Sequence, residues 1–329
     1  MDAPGLDPAL GEIRARARDA DWTRVRTFSD HAVVRDTLEG ALLVSEAELR
    51  QGDTAAARER LARVVQEAGR RRDGAARRRA ANMLGAAYFE LGEFAAAEAA
   101  FETALADATR EHDDLTAARA TNNLGMIANL RGRHDAALAL YRVALPAYQR
   151  LGFPSGLGET SHNIAITLRD LGQYEEADGY ERRAMEYAAE AGNRRLHAMA
   201  RAGRAEVAQR QDESVVAAAE AGRAATEFAG LGDGVSEADA LRVLALARAS
   251  LGQLDLAATA IDRAIALAEA HEAPLIKAES LWGRAVVRLG AGDRDQAASD
   301  VAAADALLLT LGAEPERARL QAWRSSVGL

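Results

Sequence analysis

Along residues 81–105, ANMLGAAYFELGEFAAAEAAFETAL, apolar side chains recur every three or four positions. Leu84, Tyr88 and Leu91 fall on one face of a first helix, and Phe94, Ala97, Phe101 and Ala104 on one face of a second. This is the spacing of amphipathic helices, and no stretch of the chain shows the strict alternation of a half-buried strand. Gly92 separates the two helices. Glycine takes the positive φ that ends a helix with little steric penalty, so it marks a tight turn. The segment is a helical hairpin with an apolar side that only a neighbouring hairpin can cover.

The pattern recurs every 40 residues, with glycine at Gly52, Gly92, Gly132, Gly172, Gly252 and Gly292 and Asp212 in the vacant place. Alanine follows five positions later each time, at Ala57, Ala97, Ala137, Ala177, Ala217, Ala257 and Ala297. A second turn, after each second helix, is marked by Gly152, Gly192, Gly232 and Gly312. Seven hairpins thus occupy residues 35–312. Residues 1–34, which contain Trp22 and Phe28, read as a helical cap, and residues 313–329 as a final helix with Leu320 and Trp323 sealing the open face. Pro146 should bend the second helix of its repeat. The fifth repeat is the most degenerate, with Arg204, Asp212, Ser214 and Ala221 at its marker positions, and predicts a local irregularity.

At these residues the chain resembles the tetratricopeptide repeat family. Leu84, Gly85, Tyr88, Gly92, Phe94, Ala97, Phe101 and Ala104 carry the signature, as do Leu124, Gly125, Gly132, Ala137, Tyr141 and Ala144. The 40-residue period departs from the usual 34 of that family and is similar to the long-helix subclass of kinesin light chains and bacterial regulatory proteins. The resemblance implies an all-α, right-handed α-solenoid with helical caps.

Composition narrows the chemistry. The 329 residues include no cysteine, which excludes disulfides and thiolate-ligated metals. About a quarter are alanine, so the core is expected to be thin. The net charge of −9 disfavours nucleic acid. No apolar run approaches the roughly 20 residues that span a bilayer, and the start, MDAPGLDPAL, has no apolar stretch of a secretory signal, so a cytoplasmic location without membrane partners is expected. Six scattered histidines show no metal-ligand spacing, no nucleophile motif is present, and no cofactor is predicted. The glycines of LGFPSGLGET and AGLGDGVSE fall at the phase of the inter-repeat turns and read as turns rather than phosphate loops. The arginines at 70–72 and 77–79 form a basic run that reads as a solvated turn, with Arg79 phased inward.

The resemblance further implies that the first helix of each repeat lines a groove for an extended or helical peptide. Carried over position by position, that surface holds Arg79 and Asn82, then Arg119, Asn122, Asn123, Met126 and Asn129, then His162, Asn163, Ile166 and Arg169. A row of amides, each both donor and acceptor, suits a peptide main chain, and arginines beside it suit a carboxylate. Asn122, Asn123 and Asn163 are also readable as stabilising turns or adjacent helices, the groove reading being preferred. Later repeats place Glu206, Gln209, Arg210, Asp239, Arg242, Leu246, Glu279, Trp282, Val286 and Leu289 at the same phase, with Trp282 read as packing beneath the terminal helix. The expected function is non-catalytic binding of a protein or peptide as an adaptor. The alternative is a sensing module whose curvature changes on binding and controls a partner. Turnover would need titrating groups in the groove, for which His162, Arg169 and Asp170 are the only hints.

Overall fold

A computed structural model describes residues 7–19 and 21–329. Among these residues there are helices and no strands. The chain forms two compact units, residues 1–156 and 157–329.

In the first unit three short helices, α1 (Pro8–Arg18), α2 (Trp22–Arg26) and α3 (Ala32–Asp36), precede α4 (Leu38–Arg50). Paired helices follow: α5 (Thr54–Arg71), α6 (Gly74–Glu90), α7 (Phe94–Arg110), α8 (Asp114–Leu130) and α9 (His134–Leu151). Trp22 and Phe28 lie half-buried against the core begun by Ile13, Val25 and Leu61. Helix α9, in which a bend is expected at Pro146 from the proline's missing N–H, continues through it to Leu151. The boundary between units falls within α10 (Pro154–Asp170).

The second unit continues with α11 (Tyr174–Glu190), α12 (Arg194–Arg210), α13 (Ser214–Ala229), α14 (Gly234–Ser250), α15 (Leu254–Ala270), α16 (Pro274–Gly290), α17 (Arg294–Leu311) and α18 (Glu314–Val327). The degenerate fifth repeat, α12 and α13, forms two complete helices. Leu320 of α18 is fully buried with Leu308 and Val301 of α17.

In both units the in-phase alanines, Ala57, Ala97, Ala137, Ala177, Ala217, Ala257 and Ala297, are 0% exposed. Small side chains let helix backbones approach closely, and the larger core groups fill what remains. Phe101 packs on Gly85 and Tyr141 on Gly125, with no room for a β-carbon at either glycine. Gly156, which lies inside α10, takes the Tyr148 ring in the same way, and Gly158 meets Leu196. Those two glycines therefore serve helix packing, while Gly152 alone of the LGFPSGLGET set is in the left-handed turn.

The turns follow one rule. Each glycine of the two 40-residue series has a positive φ, and Arg72, His112, Asp212 and Glu272 adopt φ of 58°, 57°, 59° and 50° where the series lacks glycine. Asp73, Asp113, Asn193 and Asp233 then cap the next helix, each accepting a main-chain N–H three residues on. This satisfies one of the orphan donors at each helix start.

Candidate functional site

The sequence-derived residues divide between the units. In the first, Arg79 reaches Glu46 at 2.9 Å, and the Asn123 amide donates to Asn82 Oδ1 at 3.3 Å, linking α6 and α8. Asn129 bonds His134 at 2.9 Å, Arg119 lies 5.2 Å above the Phe153 ring, and Met126 is half-buried. Asn122 is buried and engaged. The arginine run is dispersed over carboxylates: Arg70 and Arg71 onto Glu67, Arg77 onto Asp107, Arg78 onto Asp113.

In the second unit, His162 is buried and its Nδ1 lies 2.8 Å from Glu181 Oε2. Glu181 occupies the phase of Phe101 and Tyr141 and is 1% exposed, turned toward Gly203, whose missing side chain leaves space for the carboxylate. Burial pulls the His162 pKa down, but the charge and hydrogen bond of Glu181, joined by Glu206, outweigh it and hold the ring above its ordinary value. Burial raises the Glu181 pKa, and the charge and hydrogen bond of His162 oppose it only in part. Asn163 and Ile166 are half-buried, and Asn163 has partners.

Arg169 differs from the others because it opens onto a cavity of about 520 Å3. The walls come from α10, α12, α14, α16 and α18, and their residues stand in columns 40 apart. One column is Glu206, Leu246 and Val286; a second is Asp239, Glu279 and Arg319; a third is Arg242 and Trp282; a fourth is Arg169 and Gln209. Arg169 pairs with Glu206. Arg242 pairs with Asp239 at 2.6 Å and faces Glu279 at 3.8 Å. Burial would weaken the Arg242 charge, but the carboxylates of Asp239, Glu279 and Glu206 more than restore it, so it stays protonated. Burial likewise pushes Glu279 above its usual range, with Arg242 opposing. Arg210 lies at the exposed rim without an ion pair among the described residues. Trp282 lies 5.9 Å from Trp323 of α18, packing beneath the terminal helix while both line the cavity.

Arg319, and the place of Trp323 in the cavity wall, escaped the sequence reading because the terminal helix was taken only as a cap. The 40-residue column through Asp239 and Glu279 was the signal that could have placed Arg319 here. Glu181 was missed as well; its signal was a carboxylate standing at an aromatic phase. Among the described residues no three or more histidine, aspartate or glutamate side chains gather as a metal site would need, and no helix is long and apolar enough to cross a membrane.

Sequence profiles described as tetratricopeptide repeat match residues 76–150 and 158–191, the first of which holds the hairpins that pack Phe101 on Gly85 and Tyr141 on Gly125. These two segments are tetratricopeptide repeats. No curated protein matches the chain in sequence. Among solved structures, the chain is similar to a Rap protein complexed with Competence and Sporulation Factor. The identity is 15% over 97% of this chain and 96% of the other, with a TM-score of 0.69. It is similar to BtubC from P. vanneervenii at 21% identity, covering 65% of this chain and 91% of the other with a TM-score of 0.56. A third is the Rap conjugation gene regulator of plasmid pLS20 in complex with the Phr* peptide, at 15% identity, 92% and 79% coverage and a TM-score of 0.65. At these identities the likeness is one of fold, and that fold is an α-solenoid of helical hairpins, a class built for protein binding.

Proposed function

We propose that this protein is a non-catalytic adaptor that binds a peptide segment of a partner through the inner helices of its repeats. The observation that carries this reading is the convergence of in-phase residues from successive hairpins on one cavity in the second unit. Its volume lies within the roughly 300–1,000 Å3 of ligand pockets. Leu246, Val286 and the two tryptophans supply apolar surface, and Gln209 and Arg210 supply donors with no side-chain hydrogen bond or ion pair among the described residues. Such a lining suits a short segment with an apolar side chain beside a carboxylate or carbonyl. In the first unit, Arg79, Asn82, Arg119, Asn122, Asn123, Met126 and Asn129 would offer further inner surface, although Asn82 and Asn123 must exchange their mutual hydrogen bond for a peptide's. The pLS20 regulator, of similar fold, is in complex with a peptide, which supports the class of ligand.

The test is selection from a displayed library of random peptides, followed by affinity measurement of the enriched peptide as a synthetic probe. Leu246→Glu and Arg210→Glu should each weaken it by about tenfold or more while the circular dichroism spectrum stays that of wild type. Absence of any enriched peptide, or equal affinity in both variants, refutes the assignment.

A second reading, a ligand-sensing regulator, draws on the ion pairs that line the same cavity. Arg169–Glu206 ties α10 to α12, and Arg242–Glu279 ties α14 to α16. A charged ligand competing for these groups would alter how neighbouring hairpins are held. Small-angle scattering with and without the selected peptide separates the readings: a scaffold keeps its radius of gyration, and a sensor changes it.

A further inference from the structure

A second cavity, of about 460 Å3, lies in the first unit where α3 and the start of α4 meet α5. Its floor is apolar, with Val34 and Val64 only 2% and 4% exposed and Leu38 and Ala41 beside them. Its walls carry five arginines, Arg35, Arg60, Arg63, Arg70 and Arg71, against one carboxylate, Glu67.

The internal pairing leaves positive charge over. Arg60 is committed to the buried Glu48 at 2.8 Å. Arg70 and Arg71 share Glu67 at 3.3 and 2.7 Å, and the hydrogen bond from Arg71 holds that carboxyl below its usual range. Arg35 and Arg63 are exposed and make no ion pair among the described residues. This excess stands in a chain whose net charge is −9, so it is local.

Its shape narrows the ligand. Arg63, Glu67, Arg70 and Arg71 recur at three- and four-residue steps along α5, a row of about 12 Å at 1.5 Å per residue. A single small anion would satisfy one end of such a row and leave the apolar floor uncovered. A nucleic acid carries a charge about every 1.7 Å of duplex and would run beyond the cavity onto the acidic remainder of the surface. Several carboxylates spaced by apolar side chains match both the row and the floor.

We propose that this cavity is a docking surface for an acidic amphipathic segment of a partner protein. Carboxylates of that segment fork onto Arg35 and Arg63, and its apolar side chains rest on Leu38, Val34 and Val64. The surface shares no residue with the cavity of the second unit and does not depend on the function proposed for it.

The probe is a fluorescein-labelled peptide in which leucines recur among glutamates at helical spacing, titrated against the full chain by anisotropy. Wild type binds it, and added salt weakens binding because the pairs are partly exposed. Arg35→Glu with Arg63→Glu reduces affinity by about tenfold or more. Arg142→Glu with Arg150→Glu, which changes net charge equally at two other exposed arginines of the unit, leaves it unchanged. So does Leu246→Glu, which separates this surface from the peptide site. Circular dichroism verifies that each variant is folded. The proposal is overturned by no binding to wild type, by equal loss in the two double variants, by equally tight binding of an all-glutamate peptide of the same length, or by tighter binding of a DNA duplex.

Discussion

A methyl group added at residue 125 gives the sharpest test of how the hairpins are packed. In wild type a β-carbon built on Gly125 would lie 2.4 Å from Tyr141 Cε1 and 2.8 Å from Cδ1. Carbon atoms rest comfortably at about 3.5–4.0 Å, so the ring must retreat by about 1 Å. It has little space to do so: Tyr141 is 1% exposed, and Ala137 and Ala144 beside it on α9 are 0% exposed. Overpacking of this kind costs about 1–3 kcal/mol. Against it, replacing glycine by alanine inside a helix returns about 1 kcal/mol. The expected net loss for Gly125→Ala is therefore up to about 2 kcal/mol, or up to about 8 °C in melting temperature at about 2–4 °C per kcal/mol for a unit of this size. Gly179→Ala is the matched control: it sits inside α11 with nothing within 4 Å of the added carbon, so only the helix gain of about 1 kcal/mol applies. Thermal and urea unfolding followed by circular dichroism measures both, and amide exchange in α8 and α9 localises the loss. Tyr141→Leu combined with Gly125→Ala should recover part of the loss, giving a favourable coupling energy. A Gly125→Ala that stabilises as much as Gly179→Ala, or a destabilising Gly179→Ala, would refute the account of close packing.

The left-handed turns give a second prediction: His112→Gly and Glu272→Gly should each stabilise by about 0.5–1 kcal/mol. This is the αL penalty of about 1–2 kcal/mol less the extra flexibility of glycine in the unfolded chain. A lowered urea midpoint in either variant would contradict it. The buried pair in the second unit gives a third. A histidine whose folded pKa is raised contributes stability that is complete below its unfolded value of 6.5 and is lost as pH rises through the folded value. Glu181, also raised, has the same sign, its contribution fading as pH climbs from 4.5 through its own folded value. Protection of α10–α12 against exchange, corrected for intrinsic rate, should decline as pH rises above 6.5 and through the raised folded value of His162, and His162→Asn should flatten that decline; an unchanged slope in the variant would remove the pair from the explanation.

The 40-residue period specifies most of the architecture. Glycines at 40-residue spacing located turns at both ends of every hairpin they occupy, and Asp212 was recognisable from its place in the series. Arg72, His112 and Glu272 were not, because nothing in their chemistry announces a positive φ; the neighbouring hairpins impose it. The candidate site was less legible. Phase identified which residues face inward, but inward-facing polar groups can satisfy one another, as Asn82 does with Asn123 and His162 with Glu181. Which of them remain open to a ligand depends on pairings across helices that lie 19–41 residues apart. Of the residues selected as the main site Arg169 alone lines the large cavity; Glu206, Leu246, Trp282 and the other later-repeat residues that line it were read at the same phase, but their mixed charge concealed their convergence.

The repetition of ring on glycine, Phe101 on Gly85 and Tyr141 on Gly125, means that successive hairpins present interchangeable surfaces. Removing residues 85–124 would splice Leu84 directly to Gly125, and every face downstream would keep its bearing, with Tyr141 and Gly132 standing in for Phe101 and Gly92. Removing one residue more or fewer would rotate everything beyond the junction by about 100° around the helix axis and turn the alanine stripes out to water. The natural unit of insertion and loss in this gene is thus a block of forty codons. The number of hairpins is free to drift between descendants, while the interior of each one is held nearly fixed.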